Sequence, residues 1–146
     1  MIRVSAKGEE AERVALRAYE LLWDEQPLRT TTSDILLEAE DGILRLSGRV
    51  RTNTMRELAH RLALSAIDGW QLKNDLVSDD ALAMDVAARL AADPRSSDAS
   101  VRCDVFLGAA YLKGTVRSAE QRDLVVALAS QTPNVVGVKD MLTIVQ

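Results

Sequence analysis

Arg45, Arg49, Arg51, Arg56 and Arg61 fall within residues 45–61 against a single acid, Glu57, in a chain whose formal net charge is −4. A guanidinium is a planar fork whose donors match phosphate or carboxylate oxygens two at a time. A cluster of this kind suits a phospholipid headgroup, a nucleic-acid backbone or an acidic protein surface. The competing reading is local: Arg45 pairs with Glu38 across a hairpin, and the other arginines are solvated or meet the other half of the chain. The matching stretch further along carries Lys113, Arg117 and Arg122 against Glu120 and Asp123. The two regions would therefore not bind an anionic partner equally.

Residues for covalent or metal chemistry are scarce. His60 and Cys103 are the sole histidine and cysteine, too few for a His-rich or thiolate metal site or for a disulfide within the chain. His60 stands beside arginines on a helical pattern, as a solvated histidine does. Cys103 lies between Val101 and Val105 in strand alternation, as a buried, inert thiol does. There is no GxxxxGK phosphate loop, and Gly108 and Gly114 have the wrong spacing for one. Glu38/Glu40 and Asp79/Asp80 read as surface or capping charges rather than as an acid–base pair. The sequence predicts no catalytic residue, no metal site and no cofactor.

The scaffold that positions these residues is written twice. Shifting residues 34–78 by 66 positions lays them on 100–144 without a gap, matching Gly42 to Gly108, Leu46 to Leu112, Gly48 to Gly114, Val50 to Val116, Leu58 to Leu124 and Leu76 to Leu142. Such self-similarity marks two copies of one small module, here 1–78 and 79–146. Each reads helix, strand, strand, helix, strand. The first helices carry apolar stripes Val14, Ala18, Leu21, Leu22 and Leu82, Val86, Leu90, and stop near Pro27 and Pro94. The second helices start after Thr52 and Ser118, with Ser118 and Gln121 forming a capping box. Their stripes are Met55, Leu58, Ala59, Leu62, Ala66 and Leu124, Val125, Leu128, Ala129.

Between the helices lies a hairpin. Asp41-Gly42 is a two-residue turn signal, since glycine accepts the positive φ of a primed turn. A tip there sets Glu38 opposite Arg45 and Leu37 opposite Leu46, and places Ile35, Leu37, Leu44, Leu46 and Val50 on one face. Copy two repeats this with Val101, Cys103, Val105, Ala110, Leu112 and Val116 inward, and Phe106 and Tyr111 outward. Gly48 and Gly114 sit mid-strand on the inward side, where a close backbone is expected, and the second helix is the candidate. The fold class is α+β: two tandem αββαβ modules, each a three-stranded mixed sheet with two helices on one face.

Each module is close to the smallest size that buries a useful core, so docking is a readier role than enclosed catalysis. The 13 acids and 11 bases of 1–78, and the 9 and 7 of 79–146, describe no general polyanion binder. Nucleic-acid binding is disfavoured further because the outward strands lack paired stacking aromatics and a GxxG clamp. No apolar run reaches the roughly 18 to 20 residues that span a bilayer, and the first residues lack a signal-peptide core. A cytoplasmic location follows as the expectation, extended to a peripheral one if the arginines meet a membrane. Trp23 and Trp70 suit either the edge of a core or a membrane interface.

The element order, the hairpin Asp41-Gly42-Ile43-Leu44-Arg45-Leu46-Ser47-Gly48-Arg49-Val50 and the closing Leu72-Lys73-Asn74-Asp75-Leu76 together resemble a BON domain. Copy two resembles it through Gly108, Leu112-Lys113-Gly114-Thr115-Val116 and Val138-Lys139-Asp140-Met141-Leu142. It departs at Leu107, where copy one has Asp41, and at Asp140, where copy one has Asn74. The resemblance implies a non-enzymatic role in attaching to phospholipid membrane or envelope components, of the kind found in bacterial stress proteins with paired domains. It supplies no catalytic residues. The other reading is a cytoplasmic module that senses a small ligand or ion, or binds protein, and self-associates into a homo-oligomer.

Overall fold

A computed structural model describes residues 1–145, and the chain divides into two compact units, Met1–Ser78 and Asp79–Gln146. In the first, strand β1 (Ile2–Ala6) precedes helix α1 (Glu9–Trp23), a short 3-10 turn (Gln26–Leu28), β2 (Asp34–Glu40), β3 (Ile43–Val50), α2 (Asn53–Ala66) and β4 (Gln71–Ser78). In the second, α3 (Asp79–Ala92) is followed by β5 (Ser100–Phe106), β6 (Ala109–Val116), α4 (Ala119–Ser130) and β7 (Gly137–Ile144).

The hairpins form in the register that the turn dictates. Glu38 opposes Arg45 and Leu37 opposes Leu46, and Ile35, Leu37, Leu44, Leu46 and Val50 are buried on one side. β4 then returns parallel to β3, and β7 parallel to β6; a parallel partner requires a crossover, which α2 and α4 supply. Both sheets are thus mixed, with the helices on one face.

The first sheet differs from the three-stranded expectation. Its order is β1-β2-β3-β4, against β5-β6-β7 in the second unit. β1 runs parallel to β2, with Ile2 opposite Ile35 and Ala6 opposite Ala39. Ile2 is buried, while Arg3, Val4 and Ser5 are exposed. Five residues with one buried side chain carry almost no alternation, and no counterpart exists among the described residues of the second copy. The strand is therefore legible only through its partner.

Helix stripes shift in a consistent direction. α1 buries Ala11, Ala15, Ala18 and Leu22, and α2 buries Ala59, Ala63 and Ala66; Val14, Leu21, Met55, Leu58 and Leu62 are half-buried along the flanks. Alanine at the contact line lets a helix approach the sheet closely, and the larger side chains then fill the sides of the contact. Thr52 and Ser118 cap α2 and α4 through bonds of 3.1 Å from Met55 N–H and Gln121 N–H. The Gln121 carboxamide oxygen accepts from Arg117 N–H at 2.9 Å, and its NH2 donates to Arg95 C=O and the Asp98 carboxylate. Buried Gln121 thus ties the start of α4 to the α3–β5 loop.

Gly48 and Gly114 are explained by a strand rather than by the second helix. Their φ angles are +111° and +125°, and a Cβ would lie 1.9 Å from Asp34 C=O or 2.0 Å from Ser100 C=O. The close neighbour is the backbone of the adjacent hairpin strand. A side chain is excluded both by this carbonyl and by the left-handed conformation.

Candidate functional site

The fold distributes the five arginines. Arg45 and Arg49 project from β3 on the side opposite its buried leucines, whereas Arg56 and Arg61 belong to α2, on the helix-covered side. Arg45 opposes Glu38 in register but directs its Nε to Asp75 on β4 at 2.8 Å. This corrects the expected cross-hairpin pair. Arg56 donates to Leu76 C=O at 2.9 Å and Asn74 C=O at 3.1 Å, a tie between helix and strand. Arg49 and Arg51 are half-buried and engaged as well. Arg61 is exposed and shares a shallow depression of about 320 Å³ with Arg56, Glu57 and His60. The structure brings Arg56 and Arg61 together on α2, while Arg45 and Arg49 rise from the face of β3 opposite its buried leucines.

His60 is half-buried rather than fully solvated, with its Nδ1 3.3 Å from the Asn74 carboxamide nitrogen. Asn74 also accepts Leu76 N–H at 3.0 Å on its side-chain oxygen. Asp140 repeats this for Leu142 N–H at 3.0 Å, while its other oxygen lies 3.3 Å from Arg122 Nε. β4 and β7 are edge strands. The Asn/Asp side chain two residues before the last leucine thus occupies an edge donor that would otherwise recruit another strand.

The two hairpin tips solve one problem differently. Asp41 and Gly42 have φ of 52° and 78°, and Leu107 and Gly108 have 51° and 83°, so both are turns with two left-handed residues. Aspartate tolerates that conformation, whereas leucine adopts it only at a cost. At the second tip the Asp79 carboxylate accepts Leu107 N–H at 2.9 Å and Gly108 N–H at 3.0 Å. Asp79 is buried at the first turn of α3, so it is a latch holding helix to hairpin. The adjacent-acid pattern Asp79/Asp80 was the only sequence signal for it.

A groove missed by sequence reasoning lies beside β1. Met1, Ile2, Arg3, Tyr19, Trp23, Arg29 and Asp34 line an open volume of about 770 Å³. The Tyr19 and Trp23 rings stack with centroids 6.0 Å apart, and the Arg29 guanidinium lies 6.0 Å from the Trp23 ring. Trp23 is 45% exposed, and its four-residue spacing from Tyr19 was the available clue. Trp70 is half-buried and donates to Glu10 at 3.3 Å. In the second unit the positions of Tyr19 and Trp23 are held by Ala87 and Ala91.

Among the described residues, no group of three or more His, Cys, Asp or Glu could hold a metal ion, and no helix is long and apolar enough to cross a membrane. Cys103 is half-buried, and its thiol is pushed up to about 11 by burial, with the neighbouring Asp104 charge adding to the effect. A thiol in that state is a poor nucleophile at neutral pH.

The hairpin with its buried-backbone glycine and the closed final edge, present in both units, find their match in a family model: that of the BON domain covers residues 20–77 and 78–146. The chain belongs to the BON domain family. The first match begins inside α1, so β1 lies outside it. No curated protein matches the chain. Two solved structures of CdsD, a structural protein of the type III secretion system of Chlamydia trachomatis, are similar to it. One is the C-terminal domain, at 22% identity and a TM-score of 0.62, covering 92% of this chain and 67% of that one. The other is at 21% identity and 0.62, covering 87% and 63%. At these identities the likeness is one of fold.

Proposed function

We propose that this BON pair is a non-catalytic binding module that associates with a protein partner through open surfaces of its sheets. The observation that carries the reading is the charge layout of the helix-free faces. Arg3 pairs with Asp34, Arg45 with Asp75 and Arg102 with Asp104, a balanced mosaic in place of the arginine cluster that the sequence suggested. Mixed exposed charge favours specific protein contacts, whereas an anionic membrane calls for net positive charge.

Phospholipid attachment is the second reading, and one observation favours it. On α2, exposed Arg61 lies one turn from Leu64, which is 51% exposed, and on α1 Arg13 and Arg17 flank Leu16, which is 54% exposed. An apolar side chain beside cations suits a headgroup boundary. Flotation with anionic and neutral vesicles at low salt separates the two readings. The protein-binding reading expects the protein to stay at the bottom of the gradient with both. Retention on anionic vesicles that is lost in Arg61→Glu and at high salt, where the Debye length falls to about 3 Å, would put lipid first.

A further inference from the structure

We propose that the depression on α2 of the first module is a carboxylate-binding site, in which Arg56, His60 and Arg61 receive an acidic side chain of a protein partner. The site lies on the helix-covered side, so the proposal goes beyond the reading of the sheet faces.

Arg56 and His60 are four residues apart, as are Glu57 and Arg61, a spacing that brings all four to one face of the helix. Together they line an open volume of about 320 Å³. Arg56 donates to Leu76 C=O through Nε and to Asn74 C=O through Nη2. Those two bonds fix the guanidinium, and among the described residues nothing occupies Nη1. The ring of His60 is oriented in turn. The Asn74 side-chain oxygen accepts Leu76 N–H at 3.0 Å, so its NH2 faces His60 Nδ1 at 3.3 Å. An amide NH2 only donates. Nδ1 therefore accepts, and the neutral ring carries its hydrogen on Nε2, a further donor in the lining. Arg61 is exposed, and among the described residues no carboxylate pairs with it or with Arg56.

The second module shows what such a site takes. In the repeat, Arg122 corresponds to Arg56 and Asp140 to Asn74. Asp140 accepts Leu142 N–H as Asn74 accepts Leu76 N–H, and its other oxygen lies 3.3 Å from Arg122 Nε. There the chain itself supplies the carboxylate. In the first module the equivalent atom is an amide nitrogen, and the cation is left for a ligand. The rest of the lining changes with it, since His60 and Arg61 correspond to Val126 and Ala127, and Glu57 to Asp123. Two arginines against one acid leave a positive excess in the first module; one arginine against two acids leaves a negative one in the second. A single positive excess matches a monoanionic carboxylate, whereas a phosphate dianion meets stronger repulsion from Glu57. Because the volume is open, one carboxylate is held weakly there, as a single contact within a larger protein interface.

Titration of the intact chain with N-acetyl-glutamate methylamide at constant ionic strength tests this, followed by NMR of the arginine Nε–H and histidine side-chain resonances. Those of Arg56, His60 and Arg61 should shift together and saturate with a Kd on the order of 1 to 10 mM, while Arg122 stays unchanged. The glutamine analogue, which has the same shape without the charge, should shift none of them. Arg61→Ala removes an exposed side chain and should weaken binding about three- to fivefold. Asn74→Asp supplies the internal carboxylate of the second module and should weaken it about tenfold or more. Continued protection of Leu76 N–H would show that this variant folds. Absence of a saturable shift, an equal response to the glutamine analogue, unchanged binding by either variant, or tighter binding of inorganic phosphate than of the glutamate probe would each overturn the proposal.

Discussion

The two BON modules share their hairpin geometry and differ in what supports it. In the first, aspartate occupies the left-handed turn position, an added strand covers the outer edge of β2, and an aromatic pair lines the neighbouring groove. In the second, leucine occupies the turn, a buried carboxylate holds it, no further strand joins β5 among the described residues, and alanines stand where the first module has its aromatic pair. A repeat can keep one fold while its copies take different duties, because the framework is set by a few backbone positions and the edges are free to vary. The first module has invested in cover.

The glycines should show where the modules are the same. Gly48→Val and Gly114→Val each drive a side chain into a carbonyl from a left-handed backbone, and each should destabilise its own module by about 3 kcal/mol or more. This exceeds the cost of overpacking against a helix, and urea unfolding followed module by module checks it. Equal losses would confirm a shared framework; a cost under about 1 kcal/mol at either site would break it.

The latch should show where they differ. Asp79→Ala leaves two turn N–H groups without their charged acceptor and should cost about 2 to 3 kcal/mol, confined to the second module. The corresponding residue of the first module is Ala11, which already lacks a carboxylate. Loss of amide protection at Leu107 and Gly108, with Asp41 and Gly42 unchanged, is the expected exchange pattern.

The smallest effect concerns the turn residue. Leu107→Asn exchanges a strained left-handed residue for a tolerant one and should raise the second module's stability by about 1 kcal/mol. Asp41→Leu should lower the first module's by a similar amount. Leu107 is 42% exposed, so little burial is lost to obscure the comparison. A neutral outcome at both sites would show that the tip contributes nothing to the difference between the copies.

What the sequence determined by itself was periodic or local. The 66-residue offset, the Asp41-Gly42 turn, the leucines on alternate strand positions and the Thr52 and Ser118 caps all depend on neighbours a few residues away. The BON framework was readable from them. Tertiary structure decided everything that joins distant residues. β1 has no periodicity of its own and exists because β2 offers an edge. Arg45 finds Asp75 because β4 returns beside β3, and Arg56 reaches the carbonyls of Asn74 and Leu76 because α2 packs along the same strand. Charges adjacent in sequence thus land on opposite faces, since strand and helix project side chains with different periods. That is why a run of arginines visible along the chain divides between a strand and a helix.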